Sequence, residues 1–333
     1  MSHKETLVLG QGAVIRAWAS VGGKKEGEGP LCREFDLVNG ENSLGQDSWE
    51  QSECQLQQQC AELCLRKGEI TPKEVDLTLG GDLQAQCTAT AYAMRSLGTP
   101  YAGLYGACST MAQGLALGAC LSSSCLLPQV LVMTSSHFCT AEREFRTPLE
   151  YGGQRTPTAQ WTATAAGACL LSPKGEGPRI TALTFGRVVD LQITDINNMG
   201  AAMAPAAAQT ILRHLKGRGT RPGDYDAIVT GDLGQVGSRL LHEILEGEGL
   251  PLPNHRDCGL MLYDLQTQQV DAGGSGAGCS ASVLCAHFLP RLAAGEYRRI
   301  LFLSTGALMS QTTFLQGESI PGLAHAIELE GCI

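Results

Sequence analysis

The stretch Ser96–Ala141, SLGTPYAGLYGACSTMAQGLALGACLSSSCLLPQVLVMTSSHFCTA, runs for 46 residues without an Asp, Glu, Lys or Arg. Tyr101 to Tyr105 predicts a short buried strand. Met111 to Ser122, rich in Ala, Leu and Gly, predicts a helix slim enough to be packed on all sides. Val130 to Met133 predicts a second apolar strand, ending in Thr134-Ser135-Ser136-His137. A membrane span needs about 20 mainly apolar residues in a row. Here Gly, Ser, Thr, Gln and Pro interrupt every window, most plainly at Ser122-Ser123-Ser124 and Pro128. The segment is a domain core.

Cys108 falls where the first strand hands over to the helix. A thiol there meets unpaired backbone N–H groups and the positive end of the helix dipole, both of which favour thiolate. The plainer reading is a small buried hydrophobe, common for Cys. The turn just after Gly106 favours a ligand-facing thiol.

Working outward, 333 residues suffice for two packed units, and 41 Gly with only 17% charged residues predict an interior of small side chains, as in a closely packed α/β protein. A formal net charge of −9 leaves no basic footprint for nucleic acid. The start, Met-Ser-His-Lys-Glu-Thr, lacks the basic residues and apolar run of a secretory signal, so cytoplasmic synthesis is expected. None of the 14 Cys are spaced as CxxC, and paired metal-ligand clusters are absent. Cys60, Cys64, Cys120, Cys169 and Cys285 read as reduced core residues, and neither a metal nor a cofactor is expected.

In chain order, Gln11 to Val21 predicts a strand pair or a strand with a bend, Gly22 to Leu31 a Gly-rich exposed loop, and Ser48 to Lys67 a helix opened by a capping box of Ser48 and Gln51. Val75 to Gly80 predicts a strand, then Gly81-Asp82-Leu83, then a helix from Gln84 to Leu97 stopped by Gly98. Phe138 to Thr164 reads as a long, functional loop carrying Arg143, Arg146 and Arg155. Ala165 to Leu171 closes the first half as a strand, giving units of 1–175 and 176–333.

The second half repeats these landmarks. Tyr225 to Thr230 precedes Gly231-Asp232-Leu233, Gly276-Ala277-Gly278-Cys279-Ser280 echoes Gly106-Ala107-Cys108-Ser109 ahead of a helix from Ala281 to Leu292, and Ile300 to Thr305 echoes Val130 to Ser135. An insertion around His255 to Asp271 accounts for the different spacing. Three landmarks in one order predict an internal duplication: two similar sheets packed through the helices after Cys108 and Cys279 in a five-layer α-β-α-β-α arrangement. Asp82 and Asp232 are expected to cap the helices that follow them.

Duplicated halves and a Cys at a buried helix start resemble the thiolase-like superfamily. Closer still, the chain resembles the stage V sporulation protein AD family of spore-forming Firmicutes. The resemblance is carried by Lys25-Glu26-Gly27-Glu28-Gly29-Pro30-Leu31, Leu104 to Thr110, Thr134-Ser135-Ser136-His137 through Ala141-Glu142-Arg143, Thr147 to Gln154, Gly186-Arg187-Val188-Val189-Asp190, Met203 to Ala208, Asp257 to Met261, Ala272 to Gly276 and Glu318-Ser319-Ile320-Pro321. It implies a thiolase-like fold, a pocket that binds dipicolinic acid for movement into the developing spore, membrane partners encoded with the stage V sporulation protein A operon, a peripheral place at the spore inner membrane, and a homodimer formed through the first half.

Condensation chemistry in the superfamily needs a base near the sulfur and donors for the oxyanion. Thiolases place a His in a Gly-His-Pro-x-Gly loop, but the matching Gly273 to Ser280 holds no His or Asn, and Thr230 to Leu233 holds no His. A second thiolase Cys is also missing from Ile320 to Leu323. These absences predict a binder. The alternative is a cytosolic acyltransferase using Cys108 with His137 or His325, and each of these His is also readable as structural. His214, His242 and His255 read as solvent-facing. For a planar dianion, the helix start at Cys108 and Ser109 offers N–H donors, Ser135, Ser136 and His137 offer side chains, and Arg143, Arg146 or Arg155 offers a bidentate charge.

Overall fold

Backbone pairing joins the two halves through one long strand, β1 (Leu7–Gly22), whose first part is exposed and whose second part is buried. The structure, a computed structural model, describes residues 5–145 and 155–332. After β1 come β2 (Leu37–Val38), α1 (Trp49–Lys67), β3 (Leu77–Gly81), α2 (Thr88–Leu97), β4 (Tyr101–Gly103), α3 (Thr110–Ser123), β5 (Val130–Ser136), α4 (Phe138–Phe145), β6 (Trp161–Thr162) and β7 (Ala165–Ser172). The second half runs β8 (Arg179–Thr184), α5 (Met199–Arg218), β9 (Ala227–Thr230), α6 (Gly234–Gly247), β10 (His255–Asp257), α7 (Cys258–Leu262), β11 (Gly274–Ser275), α8 (Ala277–Val283), α9 (Leu289–Ala293), β12 (Arg299–Ala307), α10 (Gln311–Leu315) and β13 (Gly322–Glu330).

The duplication is written in the strand order. The first half orders its strands β1-β7-β5-β3-β4 and the second β8-β13-β12-β9-β10, the same path walked twice. These are not two separate sheets, as expected. β1 pairs antiparallel with β8 (Leu7↔Leu183, Val14↔Arg179) as well as with β7, so the halves share one continuous sheet path. A register irregularity between Ile15 and Ala17 is the expected bend. Helices α1 and α2 cover one outer face, α5 and α6 the other, and α3 with α8 fill the middle. The architecture is therefore the expected thiolase-like five layers.

Why the middle helices carry no charge is plain from their neighbours. α3 packs on strands of both halves, and its Ala112 N–H donates to Ser304 Oγ on β12 (3.3 Å). On α8, Gly278 N–H donates to Ser136 Oγ on β5 (3.1 Å). A Cβ on Gly278 would run into the Ala165 carbonyl, and one on Gly167 of β7 into the backbone of Ala281. Only glycine permits this approach of helix to sheet.

Several local expectations are corrected. Tyr101 to Tyr105 is not a buried strand: β4 stops at Gly103 at the end of the sheet, and Tyr105 is 47% exposed. The helix expected from Gln84 begins at Thr88, because Gln86 and Cys87 adopt left-handed conformations. Phe138 to Thr164 contains α4 and β6, while Arg146 and the rest of 146–154 lie outside the described residues. The second small-residue helix starts at Ala277, not Ala281, and continues through a π-turn over Leu284–Phe288. The region taken as an insertion includes β10, the counterpart of β4; the extra chain follows it. No helix among the described residues is long and apolar enough to cross a membrane.

Candidate functional site

The duplicated folding units bring the ends of β5, β12 and α3 together around one cavity. Its volume is about 100 Å³, and Cys108 forms part of its wall. Leu83, Phe145, Ile196, Met199 and Met309 supply apolar walls, while Glu142, Arg155, Gln160 and Asn197 supply polar ones. Ala107, with φ 49°, turns the chain so that Cys108 opens α3. Gln160 is fixed by Nε2, which donates to the carbonyls of Asp232 (2.7 Å) and Gly274 (2.9 Å). Its buried Oε1 has no partner among the described residues, so it offers the cavity an acceptor.

The thiol is held the opposite way from the expectation. Burial, then the neighbouring Asp232 carboxylate, push Cys108 far above the ordinary thiol range. Asp232 is itself wholly buried and accepts from Thr305 Oγ1 (2.6 Å), Ser275 Oγ (2.9 Å) and Gly276 N–H (3.0 Å). Ser275 Oγ lies 3.9 Å from Cys108 Sγ. Its single proton goes to Asp232, so towards the sulfur it presents lone pairs and favours the protonated thiol. The helix end at Cys108 is real, but desolvation and a like charge outweigh it.

Asp232 therefore does not cap α6 as expected. Asp257 takes that work, accepting from the Leu233 (2.9 Å) and Gly234 (3.0 Å) N–H groups. Asp82 does serve its helix, accepting from Gln84 N–H (2.8 Å) and Thr90 N–H (2.7 Å).

The remaining predicted residues do not converge on the cavity. Ser109 Oγ donates to Gly106 O (2.6 Å), and Ser136 Oγ to Ala163 O (2.7 Å). Ser135 donates to Glu53 (2.8 Å) and accepts from Gln57 (2.7 Å). His137 Nε2 donates to Asn42 O (2.8 Å), Nδ1 accepts from Cys139 N–H (3.2 Å), and the ring stacks on Trp49. His325 Nδ1 accepts from Gly186 N–H (3.1 Å), and its ring meets Phe185 edge-on. Burial pushes both imidazoles down, His325 to about 4. Arg143 is exposed and paired with Glu50 (2.8 Å). His214, expected at the surface, is fully buried, with Nδ1 2.9 Å from Thr184 Oγ1.

Cys108 and Arg155 thus reach the cavity, and the histidines do not. Among the described residues lining it there is no histidine. Of the lining residues not anticipated, Asn197, Met199 and Met309 come from the second half, and Leu83, Glu142, Phe145 and Gln160 from the first. The signal was available in the duplication: Ala141 and Glu142, on the helix that follows β5, and Met309, just after β12, line the same space. No group of three or more His, Cys, Asp or Glu among the described residues is placed to hold a metal ion.

The sequence compared with known families matches the model of stage V sporulation protein AD over residues 3–330. The chain belongs to the stage V sporulation protein AD family. The Bacillus subtilis (strain 168) stage V sporulation protein AD is 41% identical over 331 residues, covering 99% of this chain and 98% of that one. Among solved structures, 3-oxoacyl-[acyl-carrier-protein] synthase III from Aquifex aeolicus is 13% identical, with TM-score 0.59 over 96% of this chain and 100% of that one. Cerulenin-bound OleA from Xanthomonas campestris is 14% identical, with TM-score 0.61 over 98% and 99%. These likenesses place the stage V sporulation protein AD chain in the thiolase-like fold, with Cys108 at the start of its buried helix.

Proposed function

We propose that this sporulation protein captures dipicolinic acid, or its calcium chelate, without reacting with it, so that the ligand can be moved into the developing spore. The observation that carries this reading is the state of Cys108: a cavity-lining thiol kept protonated by burial and Asp232, with no histidine among the described lining residues. A nucleophile needs a base within about 3 Å; the group beside this thiol is the Asp232 carboxylate, whose oxygens are already taken by three donors and whose charge opposes a thiolate. What remains is a cavity with apolar walls and a few polar groups, the usual form of a small-ligand site.

The same reading includes peripheral association with membrane proteins of the stage V sporulation protein A operon and a homodimer. Support for the dimer is the position of β4 at the end of the sheet, with Tyr92 on the neighbouring α2 and Tyr105 both exposed. Isothermal titration tests the ligand: dipicolinate, with and without calcium, is expected to give a saturable heat with folded protein. No heat at millimolar ligand would sink the reading.

A second reading, an acyltransferase using Cys108, draws on the likeness in fold to a 3-oxoacyl-[acyl-carrier-protein] synthase. Incubation with acyl-CoA followed by intact-mass measurement separates the two. An adduct that disappears in Cys108→Ala would favour acyl transfer over binding.

A further inference from the structure

Arg155 and Glu142 are the only cation and the only acid among the described residues lining the cavity. They are paired with each other through Arg155 Nη2 and Glu142 Oε1, with side chains only 14% and 15% exposed. Arg155 Nη1 also donates to the Gln160 carbonyl (2.8 Å). The guanidinium lies over the Trp161 and Phe138 rings, at 4.9 and 5.3 Å from their centroids. Those two rings are stacked at 3.8 Å and 10°, and Trp161 is fixed by backbone pairing to β11 (Trp161↔Gly274).

An ion pair that only bolted α4 to the chain after it would be served as well by Lys, and would have no reason to face a cavity. A guanidinium is a planar fork that can donate two N–H bonds to one carboxylate at once, and here it is anchored by the Gln160 carbonyl and by the edges of the two stacked rings. With so little of the side chain exposed, the charge calls for a counter-charge when no ligand is present, and Glu142 supplies it.

We propose that Arg155 is the carboxylate-binding group of this cavity and Glu142 its exchangeable counter-ion, displaced or pushed aside when a ligand carboxylate arrives. The Gln160 carbonyl and the ring edges hold the group in place, and Cys108, as a neutral thiol, adds no charge to oppose the incoming anion. The inference rests on the reading of this cavity as the dipicolinate site and extends it to the group that recognises one end of the ligand.

The test is calorimetric titration of wild type, Arg155→Gln, Arg155→Lys and Glu142→Gln, each checked for folding by thermal melting. The probes are dipicolinate, isophthalate (the same two carboxylates on benzene) and the neutral pyridine-2,6-dicarboxamide. Losing a charge-assisted bidentate contact weakens binding roughly tenfold to a hundredfold, so Arg155→Gln is expected to lose that much for both dicarboxylates and little for the dicarboxamide. Arg155→Lys falls between, and Glu142→Gln binds the dicarboxylates more tightly because no protein carboxylate competes. If Arg155→Gln binds dipicolinate as wild type does, the inference is wrong and the dipicolinate reading stands. If isophthalate shows the expected pattern and dipicolinate does not bind, Arg155 keeps its role and the ligand assignment falls. If no carboxylate binds wild type, both fall.

Discussion

Asp232 stands beside Cys108 with its carboxylate fixed from three directions, and the charge it brings is the lever on that thiol. Replacing it with Asn keeps the shape and the acceptor oxygen while removing the like charge. Thiolate content follows the thiol's proton affinity, tenfold per unit. Asp232→Asn is therefore expected to speed alkylation of Cys108 by iodoacetamide at pH 8, read by intact mass with Cys108→Ala as the blank. Equal rates in both proteins would show that burial alone holds the proton. The residue scale is also where the sequence was least readable. Cys108 was found from its turn, and the helix-end argument was sound as far as it went, but the opposing charge comes from Asp232, distant in sequence. His137 is a candidate partner because it ends a strand, and His325 because it lies in the last apolar segment. Their rings are instead engaged by the Asn42 carbonyl and the Gly186 N–H, contacts that no local pattern encodes.

Elements were much more legible than contacts. The helix from Ser48 was legible because its cap and its apolar face are local, and Ser48 does accept from the Gln51 N–H (3.3 Å). Three repeated landmarks were enough to infer the duplication and the five layers. What they could not carry was the β1–β8 pairing, since edge-to-edge pairing of two sheets leaves no periodic mark. Nor could they carry the late start of α2, which depends on two residues adopting positive φ against their ordinary preference. The contact between α8 and β7 offers a test at this scale. Gly167 meets the Ala281 backbone with no room for a side chain. Gly167→Val is expected to destabilise the protein by about 3 kcal/mol or more, because helix and sheet must separate. Urea unfolding measures this, and a loss under about 0.5 kcal/mol, the scale of an ordinary surface change, would contradict the packing.

Across the whole molecule, buried titratable groups of opposite sense share one pH window. Burial pushes His325 and His255 down to about 4. It raises Asp257 to about 7 and, helped by the Glu53 charge, Asp82 to about 7. The signs follow from which state holds more protons. For each His, the unfolded chain takes up a proton near 6.5 that the folded chain refuses until about 4. Its contribution is thus present above 6.5 and lost as the pH falls towards 4. For each Asp, the folded chain keeps a proton up to about 7 that the unfolded chain releases near 3.8, so its contribution is lost as the pH rises through that range. The two pairs oppose one another, and between pH 5 and 7 their net slope is small. Removing one member exposes the slope of the others. In His325→Asn the side-chain oxygen can still accept from the Gly186 N–H, while the refused proton is gone. Between pH 7 and pH 5 the variant is expected to gain about 2 kcal/mol of stability relative to wild type, for the 1.5 pH units below 6.5. Asp82→Asn is expected to shift the profile in the opposite sense. Urea unfolding at the two pH values checks both, and parallel profiles for wild type and His325→Asn would mean that His325 titrates normally in the folded protein.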